Sequence, residues 1–169
     1  MSVEPTDSLM SRHTIDDAAA IAFVYAEARI LDEKRLDDWY ELFTEDGIYW
    51  MPLTRGQPDG LNHNSLFYED RLLLKVRIER LKNPRSFSQA VPSHCLHVLQ
   101  QPMIESREGE LVVVRSPFLY VETQRDEQLM LGATAYHHLV PVGGAIRMRL
   151  KKVELVNPDA GFGSIQLFP

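Results

Sequence analysis

The apolar residues of this 169-residue chain change period once, near His94, and that change restricts the fold more than any other feature. Before it, apolar side chains recur every three or four residues, the spacing that lines one face of a helix. After it come four apolar segments, separated by turn-like gaps at residues 106–109, 124–127 and 141–144. Helices first and strands afterwards, without βαβ alternation, predict an α+β architecture. N-terminal helices pack on a bent antiparallel sheet that curls around them into a cone.

Ile21, Val24, Tyr25, Ala28 and Leu31 mark a first helix over residues 15–32, with Thr14 and Asp17 as its capping pair. Leu36, Trp39, Tyr40 and Phe43 mark a short second helix, which residues 44–47 stop; residues 48–53 read as a strand end closed by Pro52. Gly56, Pro58, Asp59, Gly60 and Asn62 make residues 54–63 a loop. Residues 65–81 are dense in Leu, Glu, Arg and Lys and read as a third helix. Phe67, Leu74, Ile78 and Leu81 share its face, and Asn83 and Pro84 end it. In the last strand the apolar phase runs through Ile146, Met148 and Leu150 and then jumps to Val153 and Leu155, which predicts a bulge at Lys151 and Lys152. Ser116 and Pro117 predict another interruption, because proline brings no ladder donor. The length fits one domain, over residues 14–169 after a flexible segment 1–13, with Trp39, Phe43, Leu74, Ile78, Phe118 and Leu150 in or near its core.

Charge and cysteine count narrow the chemistry. Eighteen Lys and Arg against 24 Asp and Glu leave a net charge of −6, a field that repels nucleic acid and anionic lipid. The longest run of hydrophobic residues is nine, from Ala18 to Ala26, where a membrane-spanning helix needs about 20. The polar N-terminus carries Glu4 and Asp7 in place of a basic secretory leader, so a cytoplasmic protein is expected. With Cys95 alone, no internal disulfide or cysteine-rich zinc site can form. Cys95-Leu96-His97 looks like half of a Rieske motif, but that cluster needs two Cys and two His. His94, His97, His137 and His138 are the closest histidine grouping, yet strand parity sends His94 and His97, and likewise His137 and His138, to opposite faces, so no metal site is expected. Cys95 and His97 point the same way without an evident orienting third group. A pocket inside a cone offers a different chemistry. Tyr25, Asp32, Tyr49 and His97 could supply an acid–base pair for a lyase or isomerase, although Tyr25 also sits on the core stripe. Arg71, Lys75, Arg77, Arg80, Lys82 and Arg85 make the third helix and its exit basic, either as a solvated face or as a surface for a partner chain. No phosphate-cradling Gly-rich loop and no H-E-x-x-H motif is present.

Four stretches resemble the small (β) subunit of Rieske-type aromatic-ring-hydroxylating dioxygenases: residues 27–39 (EARILDEKRLDDW), 42–52 (LFTEDGIYWMP), 62–70 (NHNSLFYED) and 77–81 (RIERL). Residues 93–97, 114–118 and 165–168 extend the similarity over nearly everything after Thr14, and residues 56–63 with 65–70 are most similar to the benzoate and anthranilate branch. The resemblance implies the cystatin-like, or nuclear transport factor 2-like, cone. It also implies a non-catalytic role in aromatic catabolism, within a hetero-hexamer of three large and three small subunits in which the small chains form a trimer. The Rieske [2Fe–2S] cluster and the mononuclear iron would lie in the large (α) subunit, with no cofactor and no catalytic residue in this chain. Arg77 and Arg80 are then the expected partner contacts. The alternative is a stand-alone cone-fold lyase of polyketide cyclase or dehydratase type, which requires Tyr49, Asp32 and His97 to converge around an open cavity.

Overall fold

A computed structural model describes residues 14–83 and 91–169. The elements are α1 (Asp17–Asp32), α2 (Leu36–Glu41), β1 (Phe43–Pro52), β2 (Ser65–Asp70), α3 (Arg71–Lys82), β3 (His94–Leu99), β4 (Met103–Glu108), β5 (Leu111–Gln124), β6 (Glu127–Val142) and β7 (Ala145–Leu155). The segment 1–13, together with Pro84 and Arg85, lies outside the described residues. None of the described helices is long and apolar enough to cross a membrane.

Both longer helices start at an aspartate. The Asp16 carboxylate accepts the Ala19 N–H at 2.7 Å, so α1 is capped there and not at Thr14. Asp70 accepts the Leu73 N–H at 2.9 Å and opens α3, which shortens the helix expected over residues 65–81. Its first six residues are instead strand β2, antiparallel to β1 with Trp50 opposite Tyr68. Aromatic residues favour the pleated surface, and the indole and phenol rings meet edge to face at 6.3 Å.

One seven-stranded sheet carries the rest, in the order β2-β1-β7-β6-β5-β3, with β4 also pairing β5. The expected meander is present as β5, β6 and β7, but the first of the four apolar segments is two strands, β3 and β4, both on β5. Pro117 sits where one partner hands over to the other. Its carbonyl accepts the Gln100 N–H at 2.9 Å, so its nitrogen faces the gap between β3 and β4, and the missing donor costs no ladder bond. The sheet is mixed rather than antiparallel, because β1 lies parallel to β7. Residues 44–47 do not stop anything. They bulge within β1, where pairing with β7 skips from Phe43↔Met148 to Ile48↔Leu150. Gly47 permits the tight return, since a Cβ there would lie 2.9 Å from both the Phe43 Cβ and the Thr44 carbonyl oxygen.

The bulge in β7 falls at Arg149, two residues before the expected place: His138 pairs with Leu150 and Leu139 with Met148. Met148, Lys151, Val153 and Leu155 consequently share the inner face, where Leu150 had been expected. The other predicted core residues, Trp39, Phe43, Leu74, Ile78 and Phe118, are buried. Trp39 is the centre of this core, with ring centroids of Phe168, Phe43 and Tyr49 at 4.5, 5.0 and 5.7 Å. A buried side chain of this size contributes about 3 kcal/mol of apolar transfer. Tyr25 leaves the core stripe and is 47% exposed. On the inner face α1 packs against β3, β4 and β5, and α3 against β1 and β2.

Candidate functional site

The acid–base residues expected from the sequence separate into two groups. Asp32 ends α1 beside β3, where its carboxylate accepts the His97 backbone N–H at 3.0 Å and meets the ring Nδ1 at 2.7 Å. An ionised carboxylate only accepts, so Nδ1 is the donor in this contact, which leaves Nε2 to find another partner. That Nε2 is buried without a partner among the described residues, with the ring stacked on Phe118 and tilted against Tyr120 at 5.6 and 5.1 Å. Tyr49 is not with them. Its hydroxyl donates to the Pro169 carbonyl at 3.0 Å inside the aromatic core, and burial holds it far above the ordinary phenol range. Tyr25, Asp32 and His97 line an open cleft of about 400 Å³ between α1 and β3. The carboxylate and the histidine therefore meet beside a cleft, while the proton donor the lyase reading needs is committed elsewhere.

Cys95 shares the inward face of β3 with His97, as residues two apart must. Its thiol is 3.7 Å from the Leu31 carbonyl. Burial, with the Asp32 and Glu122 carboxylates, pushes it up to about 12, which removes it as a nucleophile at neutral pH. Asp32, Cys95 and His97 are the one group of metal-type donors that gathers among the described residues. A Rieske cluster needs two thiolates and two imidazoles, and a non-haem iron site needs two imidazoles and a carboxylate; one residue of each kind fits neither group. The other histidines disperse: His94 is exposed, His137 is buried and His138 is half-buried.

A second cluster went unread in the sequence. Glu27 accepts from the Trp39 indole and from the Lys151 ammonium, each at 2.7 Å, and faces the His137 Nε2 at 3.3 Å. Burial raises the Glu27 carboxyl, but the Lys151 charge and the His137 contact outweigh it and hold the group well below the ordinary carboxylate range. His137 moves down because burial disfavours its charged form. The phase jump to Val153 and Leu155 was the available signal, since residues two apart share a face and Lys151 precedes them in step. All four side chains are enclosed, so the cluster ties α1 and α2 to β6 and β7 and receives no ligand.

The two arginines expected at a partner surface also part company. Arg77 is turned inward, its side chain 7% exposed, and is held by Glu69 at 3.2 Å and the Leu167 carbonyl at 2.7 Å. Its guanidinium lies between the Phe67 and Phe168 rings at 4.1 and 4.2 Å, so it fastens the C-terminal segment. Arg80 is exposed. Both line a cavity of about 720 Å³ between α3, β2 and residues 162–166.

Comparison with known proteins sets this geometry in a family. The pattern described as "Ring hydroxylating beta subunit" matches residues 26–159. The benzoate 1,2-dioxygenase subunit beta of Acinetobacter baylyi is 33% identical over 99 residues, which span 55% of this chain and 58% of that protein. The crystal structure of the beta subunit of benzoate 1,2-dioxygenase from Burkholderia mallei superposes with a TM-score of 0.70 at 28% identity, covering 85% of this chain and 93% of that one. An NTF2-like protein with a cystatin-like fold from Novosphingobium aromaticivorans superposes at 0.58 with 13% identity over 84% of this chain and 82% of that one, a likeness of fold alone. The expected cystatin-like cone is the observed one, and the chain belongs to the ring-hydroxylating beta-subunit family.

Proposed function

We propose that this chain is the non-catalytic small subunit of an aromatic-ring-hydroxylating dioxygenase of aromatic catabolism, working in the cytoplasm, where NADH is supplied. Its task is to assemble large subunits that carry the Rieske cluster and the mononuclear iron, three large with three small. The family match over residues 26–159 carries this reading. The outer face of the sheet supports it physically. Val98 pairs with Leu119 and Leu119 with Gly132, while Leu96 pairs with Val121 and Val121 with Met130, two apolar rows crossing β3, β5 and β6. Val156 extends the patch, packing over Gly132 beside Leu119. Leu96, Val98, Leu119, Met130 and Val156 are about half exposed each, the contiguous apolar surface that marks an assembly face. An aromatic carboxylate is the substrate class we infer, from the benzoate and halobenzoate dioxygenase subunits among the relatives.

Co-expression with a large subunit, followed by size-exclusion chromatography and oxygen-uptake assays with benzoate and a reductase, tests the reading. The two chains should co-elute, and NADH-dependent uptake should require both. Oxygen uptake by the small chain alone, or its failure to co-elute, would refute the assembly role.

A further inference from the structure

The cations of α3 are not equivalent. Arg71 faces Glu41 at 3.7 Å, Lys75 and Lys82 share Asp37 and Glu79 at 2.8 to 3.3 Å, and Arg77 is held by Glu69 at 3.2 Å. Among the described residues, Arg80 alone on this helix has no carboxylate partner. It stands at the cavity of about 720 Å³, together with Arg77. The described lining contains these two guanidiniums and no carboxylate, in a protein of net charge −6. Leu66, Phe67, Leu81, Phe162 and Ile165 make the apolar remainder of the wall.

We propose that this cavity binds an aromatic carboxylate, with its ring against Phe67 and Phe162 and its carboxylate on Arg80. The volume lies within the range of small-molecule sites, roughly 300 to 1,000 Å³. The ligand class follows from the two kinds of wall. An inorganic anion gains only from the guanidinium and a neutral aromatic only from the rings, whereas an anion on an aromatic body gains from both. Arg80 brings a planar donor fork that matches a carboxylate bidentately and, among the described residues, has no internal acid to leave. Arg77 is already spent on Glu69 and the Leu167 carbonyl; it keeps Phe67 in place. This site is independent of the assembly role.

Calorimetric titration of the full chain with 2-naphthoate, and with 2-naphthalenemethanol as its neutral counterpart, tests the proposal. The acid should bind saturably at one site per chain, and the alcohol about tenfold more weakly or worse. Arg80→Gln should weaken the acid by about the same factor and leave the alcohol unchanged, while Arg80→Lys keeps part of the affinity. Arg80 is exposed and has no carboxylate partner among the described residues, so the melting temperature of either variant should match the parent and separate lost binding from lost folding. Absence of saturable binding, equal affinity for acid and alcohol, or an Arg80→Gln protein that binds the acid unchanged would each overturn the site. Should Arg80→Gln leave the acid unaffected but abolish co-elution with the large subunit, Arg80 is a chain-to-chain contact and the proposal fails, with the assembly role intact.

Discussion

Helix α1 carries two inward carboxylates, Glu27 and Asp32, and each meets a histidine from the sheet, yet the two meetings differ in kind. Glu27 is sealed among Lys151, Trp39 and His137, with a counter-charge beside it and every contact internal. Asp32 makes no ion pair with a Lys or Arg among the described residues; it is held by the backbone and ring N–H groups of His97 and borders a cleft open to solvent. The difference shows what burial demands of the same residue pair. A carboxylate removed from water needs a full counter-charge, whereas one at the surface of the fold persists on hydrogen bonds with water completing its shell.

The strongest way to break that contrast is to remove one half of the sealed pair. Glu27→Leu leaves the Lys151 ammonium buried without its partner and should cost about 3 to 5 kcal/mol in urea unfolding. Glu27→Leu with Lys151→Met should recover most of that loss, because an apolar pair of similar volume carries no desolvation penalty. A double variant as unstable as the single one would place the energy in the Trp39 hydrogen bond instead.

Asp32→Asn is the matching change in the open pair. The amide oxygen still accepts the His97 N–H, so the expected loss is about 1.5 kcal/mol, the worth of a charge-assisted bond reduced to a neutral one. A loss as large as that of Glu27→Leu would show that the cleft does not hydrate Asp32.

A third test uses pH. His137 has its folded-state value lowered by burial, so the unfolded chain takes up the proton first as pH falls. Its contribution to stability is complete above the unfolded value, about 6.5, and is lost on acidification below it. His138, lowered by burial and then by Lys152, adds to the same trend. Between pH 7.5 and 5.5 the parent should lose stability with a slope of up to about 1.4 kcal/mol per pH unit for each histidine. His137→Gln should show a shallower slope, and an unchanged slope would remove His137 from the account. Glu27 works in the same direction at lower pH: its folded value is depressed, so its stabilisation is lost below the ordinary carboxylate range.

The smallest effect concerns Cys95, next to the open pair. With its thiol pushed up to about 12, the native chain at pH 8 should react with a disulfide reagent far more slowly than the urea-unfolded chain. Equal rates would mean that the cleft reaches the sulfur.

Much of this fold is legible in the chain. The run of strands after residue 94, the loop over residues 54–63 and the turns near 125 and 143 follow from local periodicity and turn residues, and each is observed, although β1 and β2 precede α3. The errors cluster where local signals compete. Residues 65–70 carry helix formers averaged with aromatics, and pairing with β1 decides for a strand. Residues 44–47 look like a stop and are a bulge, because β7 runs alongside to hold them. At the candidate site, Asp32 and His97 meet across 65 positions, while Tyr49, expected beside them, has its hydroxyl taken by a residue 120 positions away.

The sequence by itself determined which residue types are available: one cysteine, which rules out the Rieske cluster within the chain, and a period change after which the long strands follow. The tertiary structure decided which of these residues meet. Asp32 and His97 are 65 positions apart, and Glu27 and Lys151 are 124 apart. Local periodicity specifies a side chain's face relative to its neighbours in the chain, but the partner across the core depends on strand register. One extra residue at Arg149 turns Leu150 out and Lys151 in, and so creates the buried ion pair on which α1 rests.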